Sequence, residues 1–160
     1  MAAAGAAFVA PAVGVRGLVR SWKTLTPQEL AEREADLEAD LKQSASQEPF
    51  HRFIIASAER RSPDRILSRD SPITDATLQV RIDDLRLERK RSDEGSYFLR
   101  IKARARLLRK SDQTVIYEQT VEYRSGEALF LDWTYHGSVE SVALTGYRAL
   151  ADYLVNMMLN

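Results

Sequence analysis

The chain has 160 residues, with 23 basic and 23 acidic residues and a hydrophobic share of 44 %. This length predicts one domain, and the zero net charge excludes a globally basic nucleic-acid binder and a globally acidic protein. The absence of cysteine and the presence of only two histidines exclude disulfide frameworks, thiolate zinc sites, iron–sulfur clusters and multi-histidine metal sites.

Residues 1–24 form a segment of mostly small residues, and the first fifteen carry no charged side chain. Pro11, Gly14 and Arg16 interrupt the apolar run, so a transmembrane helix is not expected. No basic residue precedes the run, unlike in a secretory signal. We expect a partly flexible segment that either lies against a partner or membrane or belongs to a truncated envelope protein, followed by a single domain over 25–160.

The first predicted helix begins at Thr26, because Thr26 is a good N-cap, Pro27 suits the first helical position, and Glu29 completes a capping box. The segment 26–48 carries a net charge of −5 and has one narrow apolar stripe. We expect this acidic helix to end at Pro49. A short second helix is predicted over 49–61, followed by an irregular connection over 62–76.

From Thr77 onward apolar residues alternate with polar ones, which predicts β-strands. The parity of this alternation flips at Asp83–Asp84, as it does at a β-bulge. Two further strands are predicted over 97–107 and 115–124, joined by turns at 92–95 and 109–113. These strands predict an antiparallel meander with one dry and one wet face.

After the strands come an aromatic-rich linker over 127–137 and a helix over 139–158. Taken together, the elements predict an α+β fold: an antiparallel β-meander of three or more strands packed against an N-terminal acidic helix and a C-terminal helix.

A ladder of basic residues follows the wet face of the second strand, at Arg100, Lys102, Arg104 and Arg106. One interpretation is a surface that binds phosphate, an RNA backbone or anionic lipid. The other is a solvated face whose charges are neutralised by neighbouring strands.

A turn that pairs Arg109 with Gln113 favours neutralisation. In that register Arg100 lies opposite Glu122 and Arg104 lies opposite Glu118, and opposite charges across a ladder are stabilising. Nucleic-acid binding is also disfavoured because only Phe98, at the start of the strand, shares the parity of the basic ladder, whereas Tyr97, Tyr117 and Tyr123 share the parity of the core.

The linker carries four residues that form a candidate recognition surface: Phe130, Trp133, Tyr135 and His136. Alternatively, these aromatic side chains seal the core. The linker residues cannot all face one side, so we expect Trp133 to be buried and Tyr135 with His136 to be exposed.

Candidate catalytic residues are few. Asp83 and Asp84 are adjacent and would point to opposite faces of a regular strand, and no nucleophile, phosphate-loop or metalloprotease motif is present. We expect no enzymatic activity, no cofactor and no metal.

The stretches TLQVRIDDLRLERK, YFLRIKARARLLRKSDQTVIYEQTVEYRSGEALFLDW and GYRALADYLVNMML have a recognisable order and spacing. They resemble bacterial envelope proteins of the ABC-type transport auxiliary lipoprotein and TolB amino-terminal/CsgG-like type. The chain departs from that pattern in having no lipobox cysteine and no clear opening strand before its first helix. The resemblance implies a scaffold or adaptor that is not an enzyme.

From the resemblance we expect a non-catalytic envelope-associated adaptor that docks to a protein or lipid partner. It is expected in the periplasm or cell envelope, or in the cytoplasm if Met1 is the true start. The alternative hypothesis is a module that binds an anionic ligand or nucleic acid through the basic ladder.

Overall fold

The structure is a computed structural model, and it describes residues 7–9, 26–62, 75–90, 96–135 and 137–159. In chain order the elements are β1 (Ala7–Val9), α1 (Pro27–Ser44), α2 (Gln47–Arg61), β2 (Ala76–Arg89), β3 (Ser96–Arg109), β4 (Val115–Arg124), β5 (Ala128–Leu129), α3 (Phe130–Trp133) and α4 (Ser138–Leu159). The α+β class is confirmed.

The sheet has the strand order β1-β4-β3-β2. Strands β2, β3 and β4 form the predicted antiparallel meander. Two short strands were not predicted: β1 pairs in parallel with the end of β4, and β5 pairs with the start of β3. Of the predicted N-terminal segment, residues 1–6 and 10–24 lie outside the described residues, as does most of the predicted connection over 62–76.

Helix α1 begins as predicted, with the Thr26 hydroxyl accepting from the Glu29 N–H and the Glu29 carboxylate accepting from the Thr26 N–H. The predicted break at Pro49 is wrong, because α1 already ends at Ser44 and α2 begins at Gln47. Pro49 lies within the first turn of α2, where the missing N–H has no partner to lose.

The core lies between the dry face of the sheet and the helices α2 and α4, with α1 packing on α4. Alternation along β3 leaves Leu99, Ile101, Ala103 and Ala105 fully buried, as predicted. The acidic helix α1 was expected to cover the dry face of the sheet. That cover is supplied mainly by α2, and α1 buries only Leu37 and Ser44.

The bulge predicted at Asp83–Asp84 is confirmed by a register shift between Ile82 and Asp84. The predicted register of β3 against β4 is wrong by two residues, because Arg100 lies opposite Arg124 and Lys102 lies opposite Glu122.

The hairpin turn explains the error in register. The Arg109 N–H donates to the Thr114 carbonyl and the Gln113 N–H donates to the Arg109 carbonyl, so Thr114 rather than Gln113 stands opposite Arg109, and Gln113 has a left-handed φ of 57°. A second irregularity between Leu107 and Leu108 adds the other residue of shift. A shift of two keeps the side chains of β4 over 117–123 on their predicted faces. Val115, which was expected on the dry face, lies beyond the irregularity and is 51 % exposed.

None of the helices in the described ranges combines the length with the apolar stretch that a membrane span needs.

Candidate functional site

The wet face of the sheet is covered by charged side chains from β2, β3 and β4, which we name the charged sheet face. Its cations are Arg81, Arg86, Arg100, Lys102, Arg104, Arg106 and Arg124, and its carboxylates are Asp83, Asp84, Glu88, Glu118 and Glu122. All four residues of the predicted basic ladder lie on this face.

Arg100 is the centre of the charged sheet face. Its two terminal guanidinium nitrogens lie 2.7 Å from Glu88 Oε1 on one neighbouring strand and 2.6 Å from Glu122 Oε2 on the other. Directly opposite Arg100, by contrast, stand Arg86 and Arg124. Like charges in register destabilise a ladder, so these diagonal carboxylates supply the neutralisation that the predicted register placed directly opposite.

The outer half of the ladder is neutralised in a similar way. Arg104 Nε lies 3.0 Å from Asp83 Oδ2, and Arg106 lies 3.1 Å from Glu118 Oε1. Lys102 stands in register with Asp84 on one side and Glu122 on the other. Each arginine of the basic ladder therefore contacts a carboxylate, and Lys102 has a carboxylate in register on both sides, which weakens the case for an anion-binding surface.

The bulge changes the expectation for the adjacent aspartates. Asp83 contacts Arg81 and Arg104, and Asp84 contacts Arg86 in register with Lys102, so both carboxylates lie on the charged sheet face rather than on opposite faces. Each is engaged by arginine, and the two belong to separate ion pairs. Within the described residues, no group of three or more potential ligands is placed to hold a metal ion.

The ion pairs shift the pKa of both carboxylates that bind Arg100. The hydrogen bond from Arg100 holds the pKa of Glu88 below its ordinary value of 4.5. Burial acts to raise the pKa of Glu122, but the bonds from Arg100 and Arg124 together outweigh it and lower that pKa. Carboxylates whose pKa is depressed on folding stabilise the protein above their unfolded pKa and lose that contribution as pH falls through the folded value.

We therefore expect Arg100→Met to lower the free energy of unfolding by about 1–2 kcal/mol at pH 7, with a smaller difference at pH 3. Lowering the pH from 7 to 3 passes below the ordinary pKa of glutamate and moves toward the depressed folded values of Glu88 and Glu122, so less of the ion-pair contribution is left to remove. Urea unfolding of the chain and the variant at the two pH values measures both differences in the free energy of unfolding. Lys42→Met is the control, because it breaks an exposed ion pair, that of Lys42 with Glu38. An equal loss at both values would contradict the electrostatic explanation.

The second candidate surface is the aromatic segment after the sheet, which we name the aromatic platform and define as Leu129–Tyr135. Trp133 is its anchor: the side chain is 3 % exposed, and the indole N–H donates to the Tyr97 carbonyl at 3.2 Å. Phe130 packs its ring 5.8 Å from the Tyr97 ring. The prediction that Trp133 is buried is confirmed, and its side chain joins the platform to the hydrophobic core.

Two large apolar side chains remain exposed on the aromatic platform. Tyr135 is 51 % exposed, as predicted, and Leu129 is 38 % exposed. His136, the other half of the predicted exposed pair, lies outside the described residues. Sequence reasoning missed Leu129 as a candidate, because the two-residue strand that positions it is too short to show an alternation.

Local hydrogen bonds fix the short helix α3 that carries this platform. The Asp132 carboxylate accepts from the Leu129 N–H at 3.2 Å, and the Thr134 hydroxyl donates to the Leu131 carbonyl at 2.9 Å. Together with the bond from the Trp133 indole, these bonds hold the segment Leu129–Tyr135 in one conformation.

Among the solved structures that match this chain are two bacterial proteins. No protein-family model and no curated protein matches the sequence. A Xanthomonas campestris protein of the DUF330 family matches with a TM-score of 0.47 and 20 % identity, over 66 % of this chain and 59 % of that one. A candidate lipoprotein from Caulobacter crescentus CB15 matches with a TM-score of 0.38 and 12 % identity, over 80 % of this chain and 96 % of that one. Likenesses of this size say nothing about function.

Proposed function

We propose that this protein is a non-catalytic adaptor of the bacterial cell envelope that docks a partner protein through its aromatic platform. The observation that carries the proposal is the pairing of a buried anchor with an exposed contact: Trp133 fixes the segment in the core, and Tyr135 is half exposed two residues later. Tyrosine is enriched at protein interfaces because it buries a large area at a low entropic cost.

The charge around the platform favours a protein partner over an anionic membrane. Residues 127–135 contain two carboxylates, Glu127 and Asp132, and no basic side chain. Glu127 binds Lys90 at 2.8 Å, so its charge is neutralised. Anionic lipid headgroups attract clusters of Lys and Arg, so a segment without a basic side chain of its own is a poor match for them. The envelope location is supported by the sequence resemblance to envelope scaffolds and adaptors over about residues 77–158.

An affinity pull-down from native membranes tests the proposal. We expect the full chain to retain a discrete partner, and Tyr135→Ala to lose most of it, because an exposed aromatic anchor often supplies about 1–3 kcal/mol of binding. Ile55→Ala is the matched control, since Ile55 is also 51 % exposed but lies on α2. Equal retention by the chain and by both variants would contradict docking through the platform.

The alternative hypothesis, a module that binds an anionic ligand or nucleic acid, has a separate outcome in the same experiment. Its candidate residues remain Arg100, Lys102, Arg104 and Arg106. Binding by charge alone is released by moderate salt, because it depends on counterion release. If the immobilised chain retained nucleic acid that salt released, and Arg104→Gln abolished that retention, the alternative would be favoured.

A further inference from the structure

Strand β2 is the last strand on its side of the described sheet, and it is long for an edge strand. It runs for 14 residues, whereas strands in globular proteins usually have about 5–6. The stretch 76–89 contains no lysine and no proline, which often keep an edge from pairing. The charged side chains over 81–88 are bound in ion pairs within the charged sheet face. Side-chain charge therefore does little to keep a second strand away from this edge.

Helix α2 contacts this edge through Gln47, the first residue of the helix. The Gln47 side-chain nitrogen donates to the Ile82 carbonyl at 3.1 Å, and the Gln47 side-chain oxygen accepts from the Ile82 N–H at 2.8 Å. A residue of an added strand would form the same two bonds with its own backbone N–H and C=O. The Gln47 amide therefore takes the place of one residue of a neighbouring strand.

A second side chain of α2 contacts the next outward position of β2. His51 lies one helical turn after Gln47, and its Nε2 is 2.9 Å from the Val80 carbonyl oxygen. Outward backbone groups belong to alternate residues of a strand, so Val80 and Ile82 are successive pairing positions. Directly after them the register of β2 shifts between Ile82 and Asp84, and such bulges also disfavour pairing at an edge. The two side chains therefore act at the middle of β2, beside the bulge.

The rest of α2 is anchored in the protein, which keeps these two side chains at the edge. Phe50, Ile54 and Ala58 of this helix are buried in the core. The buried Ser57 hydroxyl donates to the Asp152 carboxylate of α4 at 2.6 Å. The contacts with β2 are therefore made by a helix that is held on both sides, by the sheet and by α4.

We propose that Gln47 and His51 protect the β2 edge, so that it does not pair with the β2 edge of a second copy of the chain. A second copy presents the same long edge, and antiparallel pairing of two identical edges is the self-complementary contact of a two-fold dimer. By occupying the backbone groups of Ile82 and Val80, the two side chains remove the central bonds of that contact. The proposal concerns a different surface from the aromatic platform and stands independently of docking through Tyr135.

Gln47→Leu tests the proposal, because it removes both bonds to Ile82 and leaves a side chain of similar size. At low protein concentration the Ile82 amide should exchange with solvent roughly tenfold faster than in the unchanged chain, since its acceptor is gone. At rising concentration the variant should self-associate in sedimentation velocity, and exchange at the Val80 and Ile82 amides should slow again. Gln43→Leu makes the same change at an exposed residue of α1 and is the matched control. It should associate no more than the unchanged chain.

Gln47→Glu is a second variant in case Gln47→Leu does not fold, as judged by circular dichroism. Its carboxylate still accepts from the Ile82 N–H but has no donor for the Ile82 carbonyl, so it should also associate, though less strongly. Adding His51→Ala to either variant should strengthen the association several-fold, and no change on adding it would overturn the role of His51.

Three results would overturn the proposal as a whole. The first is a Gln47→Leu protein whose Ile82 amide exchanges fast but which associates no more than Gln43→Leu at any concentration. The second is an Ile82 amide that stays protected in Gln47→Leu at low concentration, because another group would then cover the edge. The third is association without slower exchange at Val80 and Ile82, which would place the contact elsewhere on the protein.

Discussion

Replacing Trp133 with alanine should lower the free energy of unfolding by about 3–5 kcal/mol, because the change removes a fully packed indole and leaves a cavity. The variant also loses the bond from the indole N–H to the Tyr97 carbonyl. Urea unfolding followed by circular dichroism measures the change. Tyr135→Ala, which truncates a half-exposed ring two residues away, should cost less than about 1 kcal/mol and serves as the control.

Fluorescence tests the burial of Trp133 independently of stability. Trp22 is the only other tryptophan, so Trp22→Phe leaves a single indole to observe. Acrylamide should quench Trp133 weakly in the folded protein and strongly in urea. Strong quenching in the folded protein would contradict the anchor role and would make Trp133 itself a surface residue.

Gly146→Ala should lower the free energy of unfolding by about 1–3 kcal/mol, although alanine is the better helix former by about 1 kcal/mol. A β-carbon at this position of α4 would lie 2.6 Å from Ile101 Cδ1 and 2.7 Å from Tyr123 Cδ1. Both neighbours are buried in the sheet, so they have no free space to enter. The overlap therefore outweighs the gain in helix propensity.

Thr145→Ala is the matched control for this glycine, because Thr145 is the neighbouring residue of the same helix but is exposed. It should leave the stability unchanged or raise it slightly. Thermal unfolding of the three proteins side by side makes the comparison. A Gly146→Ala variant as stable as Thr145→Ala would mean that α4 lies farther from β3 and β4 than the structure indicates.

The elements that the sequence predicts correctly are those with strong local signals. The capping box of Thr26 and Glu29 marks the start of α1, and the regular alternation from Tyr97 to Leu107 marks β3. The parity flip at Asp83–Asp84 locates the bulge in β2. Each signal is contained within a few consecutive residues, so no tertiary information is needed to read it.

The errors arise where long-range packing or turn geometry determines a helix boundary or a strand register. The break between α1 and α2 falls before Pro49, where Tyr147 of α4 donates to the Ser44 carbonyl. The register of β4 depends on Gln113 adopting a left-handed conformation, which is uncommon outside glycine. Strands of two or three residues, such as β5 and β1, are too short to show a period.

The candidate sites show the same contrast between features with a local sequence signal and features that depend on long-range pairing. Parity in the linker was enough to separate a buried Trp133 from an exposed Tyr135. It was not enough to identify the pairing of β5 with β3 that leaves Leu129 exposed. The prediction that neighbouring strands neutralise the basic ladder is confirmed. It did not identify Glu88 of β2 as a partner of Arg100.

The central claim is that a partner protein contacts Tyr135, and site-specific photo-crosslinking within intact envelopes tests it most directly. A photoreactive phenylalanine analogue at position 135 should crosslink to one discrete protein, and the same analogue at position 55, which is equally exposed on α2, should not. The same adduct from both positions, or none from position 135, would contradict docking through the aromatic platform.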